Sequence, residues 1–162
     1  MIAPLIRKFS SNIPIKIIKL FFNLWPPFLA SGIKILEIRP DYRFLKVRLK
    51  LTWYNKNYVG TQFGGSIYSM TDPFYMYLLM NNLGSEYIVW DKAAKIDFIK
   101  PGKSSLYAEF HLNEKQIHEV KENTKNNQKY IFDLRVEIRD QDHILIASVL
   151  KTLYVRRKKL DS

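Results

Sequence analysis

The sequence predicts an α+β protein, in which one curved antiparallel sheet wraps around one long buried helix and an extra helix precedes them. Three observations predict this class: a strictly alternating strand near residue 45, a nearly all-apolar helical pattern after residue 64, and a run of strand patterns behind it. One sheet curling around one apolar helix buries both elements. At 162 residues and 47% hydrophobic content, the chain is long enough for a single domain with a sizeable core.

The alternating strand is the clearest local signal. Between Phe44 and Leu51, leucine and valine point to one face, and lysine and arginine point to the other. Such a strand is buried on one side only. Ile33 to Ile38 is predicted to be the preceding strand, and Asn55 to Gln62 is predicted to be a loop.

The central helix is predicted from Gly65 to about Asn82. Its apolar residues cover nearly the whole circumference, which is typical of a buried helix. Asn82 and Gly84 supply its end. Pro73 interrupts the pattern, and because a mid-helix proline costs about 3 kcal/mol, we expect a compensation such as a kink.

The second half of the chain is mostly strand. The patterns predict strands at about 86–91, 93–100, 105–112, 130–139 and 144–155. Between the third and fourth of these strands, Asn113 with Gln116 resembles a capping box and predicts a short helix, followed by an exposed loop over Asn123 to Gln128.

The N-terminal segment has two interpretations. Leu20 to Ile33 carries no charge, but this run is shorter than the ~20 residues of a membrane span, and Pro26 and Pro27 interrupt it. We interpret residues 4–25 as an amphipathic helix that covers the domain. The alternative is attachment to a membrane surface, since basic amphipathic helices also lie on membranes. The predicted organisation is a helical segment over 1–31, the main domain over 32–156 and a basic tail over 157–162.

Composition excludes several classes of chemistry. The chain has no Cys, which rules out disulfides, thiolate catalysis and cysteine zinc sites, and permits the reducing cytoplasm where we expect the protein. The three His residues have no spacing to a Ser nucleophile or a second metal ligand, so no metal site is predicted. The net charge of +11 fits solvated faces or a patch for an anionic partner, but no nucleic-acid-binding signature accompanies it, and we expect no nucleic-acid partner.

The segment from Asn57 to Asp72 carries the chemical signal. A polar loop runs into the adjacent glycines Gly64 and Gly65, and a helix opens there. Backbone N–H groups at a helix start are unpaired and lie at the positive end of the helix dipole, so they are suited to hold a carbonyl oxygen or an oxyanion. Asp72, about two turns further along, is an acid that could position a water molecule.

The spacing of this segment resembles a known signature. Asn-x-x-Gly-x-x-aromatic-Gly-Gly, followed by an acid seven residues after the second glycine, is similar to the motif of hotdog-fold acyl-CoA thioesterases. The most similar patterns belong to the phenylacetyl-CoA type and an uncharacterised bacterial branch near it. Tyr87 to Gly102, which ends in Lys-Pro-Gly, also resembles that branch, and the resemblance covers roughly Gly32 to Val155.

The resemblance implies a hotdog fold and a mechanism. Gly64 and Gly65 amides would polarise the thioester carbonyl, and Asp72 would act as general base or, less in keeping with the pattern, as nucleophile. The substrate-binding residues implied are Asn57, Gly60, Phe63, Ser66 and Tyr68. The substrate would be an acyl-CoA or an acyl carrier protein thioester, and no cofactor is expected, since coenzyme A is part of the substrate. The site would cross the subunit interface of a homodimer or homotetramer.

Each of these residues also has a structural interpretation. Asp72 followed by Pro73 is a helix-start signal, so Asp72 could be an N-cap residue. The glycine pair could form a tight turn, and Asn57 could be an ordinary turn asparagine. Phe63 stands where many relatives carry His, and it favours a non-catalytic module that binds an acyl-CoA or fatty acid. A third hypothesis is a peripheral membrane or scaffold protein.

Overall fold

The computed structural model describes residues 13–158 and has the predicted α+β architecture. Its elements in chain order are α1 (Ile15–Leu24), α2 (Pro26–Ser31), β1 (Ile33–Ile38), β2 (Phe44–Leu49), α3 (Gly64–Ser69), α4 (Phe74–Leu83), β3 (Tyr87–Phe98), β4 (Leu106–His111), α5 (Glu114–Asn123), a 3-10 turn (Lys125–Asn127), β5 (Lys129–Asp140) and β6 (Leu145–Arg157).

All six strands form one antiparallel sheet in the order β1-β2-β4-β5-β6-β3. The central helices α3 and α4 pack on this sheet, where the rings of Phe74 and Tyr75 lie 5.3 and 5.1 Å from the ring of Phe110. The Tyr75 hydroxyl also donates to the carbonyl of Arg135 at 2.7 Å. One continuous core therefore joins the helices to the sheet.

The predicted central helix is divided in two. Pro73 has no N–H to donate, and the helix ends before it in a tight turn where Thr71 and Asp72 donate to the carbonyls of Tyr68 and Ser69. The helix resumes as α4 at Phe74. The kink expected from Pro73 is thus a full break, and it leaves the Asp72 side chain half exposed at the junction.

The two strands predicted at 86–91 and 93–100 form the single strand β3 in the structure. Its register with β6 shifts by one residue between Asp91 and Ala93, which marks a β-bulge. Such a bulge reverses the side-chain alternation, and the sequence pattern therefore resembles two strands.

The capping box of Asn113 and Gln116 is confirmed at the start of α5, with both reciprocal hydrogen bonds present.

The N-terminal helix α1 lies along the outer edge of β1. The Asn23 side chain accepts from the Ile35 amide at 2.7 Å and donates to the Ile35 carbonyl at 3.2 Å, as a neighbouring strand would. Lys19 donates to the Leu36 carbonyl at 2.8 Å. The predicted helix over 4–25 is observed for Ile15–Leu24, and its first part lies outside the described residues. In residues 13–158, none of the helices reaches the length and apolarity of a membrane span.

Candidate functional site

The start of α3 presents two free backbone donors. Phe63 occupies the N-cap position, and its side chain has no oxygen to cap the helix. Within residues 13–158, the Gly64 and Gly65 amides donate to no backbone carbonyl or side chain. Because the Phe63 side chain has no acceptor atom, it does not compete for these amides.

A cavity of about 610 Å³ opens beside Gly64. We call it the glycine pocket, and it is lined by Asn57, Val59, Thr61, Gln62, Gly64, Ile67, Phe98, Ile99, Lys100, Pro101, Gly102 and Lys103. Its lining combines an apolar wall with two lysines, which matches a ligand that has an apolar part and an anionic part.

Both glycines of the pair lie against aromatic rings. A Cβ atom at Gly64 would come within 3.1 Å of the Phe98 ring, and one at Gly65 would collide with the Phe63 ring. The absence of a side chain at both positions thus lets these rings lie close to the helix start. Phe63 is 55% exposed, and its ring lies against Gly65.

Asn57 and Gly60 organise the loop that leads into α3. The Asn57 side chain donates to the Thr61 hydroxyl and the Gln62 carbonyl, and it accepts from the Val59 and Thr61 amides. These four bonds occupy its hydrogen-bonding groups, which supports a turn role over direct substrate contact. Gly60 has φ of 82°, a left-handed conformation that favours glycine in this turn.

Gln62 is a structural residue that the sequence-based prediction did not include. Its side chain is buried and donates to the carbonyls of Leu49 and Ser104 at 3.2 and 3.1 Å. The backbone N–H of Gln62 donates to the Gly102 carbonyl at 2.8 Å. These bonds tie the loop before α3 to β2 and to the segment after β3, which fixes the walls of the glycine pocket.

Asp72 lies in a separate group of charged side chains. Lys151 of β6 has no exposed surface, and its ammonium nitrogen lies 3.7 Å from Asp72 Oδ1 and 3.4 Å from Asp91 Oδ2. The same nitrogen is 5.2 Å from the centroid of the Tyr68 ring, a cation–π distance. We call Tyr68, Asp72, Asp91 and Lys151 the Asp72 cluster.

Burial makes the charges of this cluster interdependent. It raises the pKa of Asp91 to about 6; the neighbouring Asp72 carboxylate adds to this rise, whereas Lys151 opposes it. Neither carboxylate oxygen of Asp91 nor the Lys151 ammonium makes a hydrogen bond of good geometry. Unsatisfied buried polar groups are rare in folded proteins, and a functional site is one of the accepted reasons for them.

Asp72 does not cap a helix. Pro73 holds the N-cap position of α4, and no side-chain cap bond is present there. Ser66 is buried inside α3, and its carbonyl accepts from the Met70 amide. Tyr68 is 38% exposed beside Lys151. The structure thus joins Tyr68 to Asp72, and it places Asn57 and Gly64 in the other group.

The sequence-based prediction missed Asp91 and Lys151, although their positions along the strands could have indicated them. Lys151 continues the buried series of Val149 and Leu153 in β6, and Asp91 continues that of Tyr87 and Val89 in β3. A charged residue in the inward phase of a strand needs a buried partner.

The two groups are apart within one chain. Asp72 is seven positions after Gly65 and lies beyond the end of α3 at Ser69. Its side chain faces Lys151, whereas Gly64 lines the glycine pocket.

Other features of the described chain offer less. A cavity of about 700 Å³ lies where β4 and β5 diverge, and its mixed lining includes charged side chains of both signs, but neither glycine of the pair lines it. Among residues 13–158, no group of three or more His, Asp and Glu side chains is placed to hold a metal ion.

Solved structures with the same fold include several that are named as thioesterases. A Pseudomonas aeruginosa protein of unknown function, titled a probable thioesterase, has 16% identity and a TM-score of 0.80, with 90% of this chain and 97% of that chain covered. The Haemophilus influenzae thioesterase HI1161 has 12% identity and a TM-score of 0.66, with 93% and 95% covered. The Escherichia coli PaaI protein of the phenylacetic acid degradation operon has 19% identity and a TM-score of 0.58, with 86% and 88% covered.

These similarities show the fold, which is the hotdog fold predicted from the sequence. Comparison with curated proteins gave no match. A family model described as a domain of unknown function, DUF4442, matches residues 16–155, which is most of the chain. The protein therefore belongs to the DUF4442 family and has a hotdog fold.

Proposed function

We propose that the protein hydrolyses the thioester of an acyl-CoA or of an acyl carrier protein. The observation that carries this proposal is the pair of free Gly64 and Gly65 amides beside a largely apolar cavity. Such amides would donate hydrogen bonds to the thioester carbonyl oxygen and stabilise the oxyanion that forms when water attacks. The apolar wall would hold the acyl chain, and no group of this mechanism requires a cofactor.

Asp72 would supply the base. Its carboxylate would take a proton from water as the oxygen attacks the carbonyl carbon. Collapse of the tetrahedral intermediate would break the C–S bond, and the leaving thiolate would take up that proton from Asp72 to give the free thiol. Lys151 lies 3.7 Å from Asp72 Oδ1 and would hold this carboxylate in position, while Asp91 shares the same cation. We assign Lys151 and Asp91 the role of positioning residues.

The site would be completed by a second subunit through β3. On the outer edge of β1, Asn23 of the same chain bonds both backbone groups of Ile35, whereas no strand of residues 13–158 pairs with the outer edge of β3. Bare edges of this length favour pairing with another strand. Phe98, the last residue of β3, lies against Gly64. Asp91, in the first half of β3, belongs to the Asp72 cluster. Antiparallel pairing of two β3 strands would bring opposite ends together and unite the two groups across the interface.

A non-catalytic acyl-binding module of the same fold is the second candidate, and Phe63 favours it because this side chain cannot donate to the thioester oxygen. The two candidates are separated by incubating the protein with a panel of acyl-CoAs of different chain types. Release of free thiol supports hydrolysis. Saturable binding by calorimetry without thiol release would support the module instead.

The two-subunit site has its own test. Sedimentation at micromolar protein should give a dimer or tetramer. Inactive Asp72→Asn and Gly64→Val proteins, when co-refolded, should recover about a quarter of wild-type turnover, since half of the dimers are mixed and each mixed dimer has one intact site. A turnover-competent monomer, or no recovery in the mixture, would contradict a site formed by two subunits.

A further inference from the structure

Helix α1 has two apolar faces. One face, with Ile18 and Phe22, is buried in the core. The other consists of Ile17, Leu20, Phe21, Leu24 and Trp25, which are 41–61% exposed. Their spacing of i, i+3, i+4, i+7 and i+8 is that of one continuous helix face. We call these five residues the outer face of α1.

The outer face exposes more apolar surface than one face of a helix in a folded domain usually does. Leu29 of α2, 48% exposed, lies on the next helix. Single exposed apolar side chains are ordinary, but a contiguous set with a tryptophan and a phenylalanine marks an interaction surface. Since Asn23 and Lys19 hold the other side of α1 on β1, the outer face is the side presented to a partner.

The charged residues that precede Glu37 in the described part of the chain are all basic. They are Lys16, Lys19 and Lys34, and Lys19 is turned towards β1, where it donates to the Leu36 carbonyl. Lys16 is exposed one turn before Leu20, and Lys34 is exposed on β1. An apolar stripe with Trp and Leu, bordered by lysines and lacking acids, is the pattern of a helix that lies in the interface of an anionic membrane.

We propose that the outer face of α1 docks the protein on an anionic phospholipid surface. The leucine and aromatic side chains would enter the boundary between headgroups and acyl chains, and Lys16 and Lys34 would contact lipid phosphates. A second copy of the chain fits this face less well, because a symmetric contact would place the same positive charges opposite one another. The inference does not depend on the proposed hydrolase activity.

Vesicle co-sedimentation of the full-length protein tests this proposal. The vesicles are phosphatidylcholine alone and an equal mixture of phosphatidylcholine and phosphatidylglycerol. We expect binding to the mixed vesicles, weak binding to the neutral ones, and a loss of binding as salt rises, because exposed charges are screened within about 8 Å at physiological ionic strength.

Two pairs of variants separate the apolar and the charged contributions. Leu20→Gln/Leu24→Gln should lower the partition constant roughly tenfold or more, since it replaces two of the five apolar side chains of the outer face with polar ones. Lys16→Gln/Lys34→Gln should lower it by a similar factor on mixed vesicles only, at about 1 kcal/mol per lysine near the surface. The matched controls, with the same chemical changes elsewhere, are Ile131→Gln/Ile144→Gln and Lys115→Gln/Lys121→Gln, and both should bind as wild type does.

Several results would overturn the proposal. Absence of wild-type binding to mixed vesicles is one, and equal binding to neutral vesicles is another. Binding that the leucine variant leaves unchanged would show that the outer face is not the contact. If the leucine variant instead changes the sedimentation coefficient, another copy of the chain covers the face. If it lowers the melting temperature while the wild type does not bind vesicles, the chain itself covers the face. The lysine variant keeps the test valid if the leucine variant fails to fold.

Discussion

The glycine pocket adjoins the start of α3 and Asp72 follows its end, and the two groups differ in how they are built. The pocket presents backbone amides whose donors depend on the helix start and on Gly64 having no side chain. The cluster is made of side chains, with a buried cation between two carboxylates. Backbone N–H donors do not titrate, whereas the raised pKa of Asp91, about 6, makes the protonation of the cluster depend on pH. Under the proposed hydrolysis, the first region would stabilise the oxyanion and the second would transfer the proton.

Removing the basicity of Asp72 should have the largest effect. Asp72→Asn retains size and hydrogen-bonding atoms, and we expect kcat to fall by roughly 10²–10⁴ while KM changes little, since a positioned base contributes about this much. The measurement is steady-state turnover of the best acyl-CoA. Asp133→Asn, the same change at an exposed carboxylate of β5, is the control. If the Asp72→Asn variant turns over normally, the cluster is not catalytic and the acyl-binding module becomes the better hypothesis.

Lys151 should matter for stability more than any exposed lysine. Lys151→Met removes a fully buried cation from two carboxylates, and we expect the free energy of unfolding at pH 7 to fall by about 3 kcal/mol. The matched change Lys46→Met breaks a half-exposed pair with Glu109 and should cost at most about 1 kcal/mol. Urea denaturation measures both. Equal losses in the two variants would mean that burial of the cluster has no special weight.

Asp91 should make stability depend on pH. Because its pKa is raised from 3.8 to about 6, the folded form retains a proton that the unfolded form has released, and stability falls as pH rises through this window. Asp91→Asn removes this dependence. The unfolding free energy of the variant relative to wild type should therefore increase by about 1–2 kcal/mol between pH 4 and pH 7. A constant difference over that range would place Asp91 outside the coupled cluster.

The smallest effect concerns the lysines of the glycine pocket. Lys100→Gln/Lys103→Gln should raise KM for an acyl-CoA by about three- to tenfold at low salt and leave KM for the corresponding acyl-pantetheine unchanged, because only the former has the nucleotide phosphates. Lys115→Gln/Lys121→Gln on α5 is the control. A parallel rise for both substrates would indicate that these lysines shape the cavity and do not bind phosphate.

Much of the fold was predictable because the burial and periodicity of an element show in the residue pattern of its own short segment. The alternation after Phe44 and the capping box at Asn113 both correspond to observed elements. The break at Pro73 was predicted only as a kink, because whether a proline bends or ends a helix depends on what packs around it. The bulge between Asp91 and Ala93 was missed, since an inserted residue reverses the alternation that a sequence pattern relies on.

By itself, the sequence determined the sheet with its apolar helix, the glycine pair at the helix start and the presence of an acid beyond it. These follow from residue type and spacing within short segments. Only the tertiary structure decided that Asp72, Asp91 and Lys151 meet. They come from a helix junction, β3 and β6, and their contact depends on β6 lying beside β3 in one particular register. That register is fixed by packing of the whole sheet, which no local pattern contains.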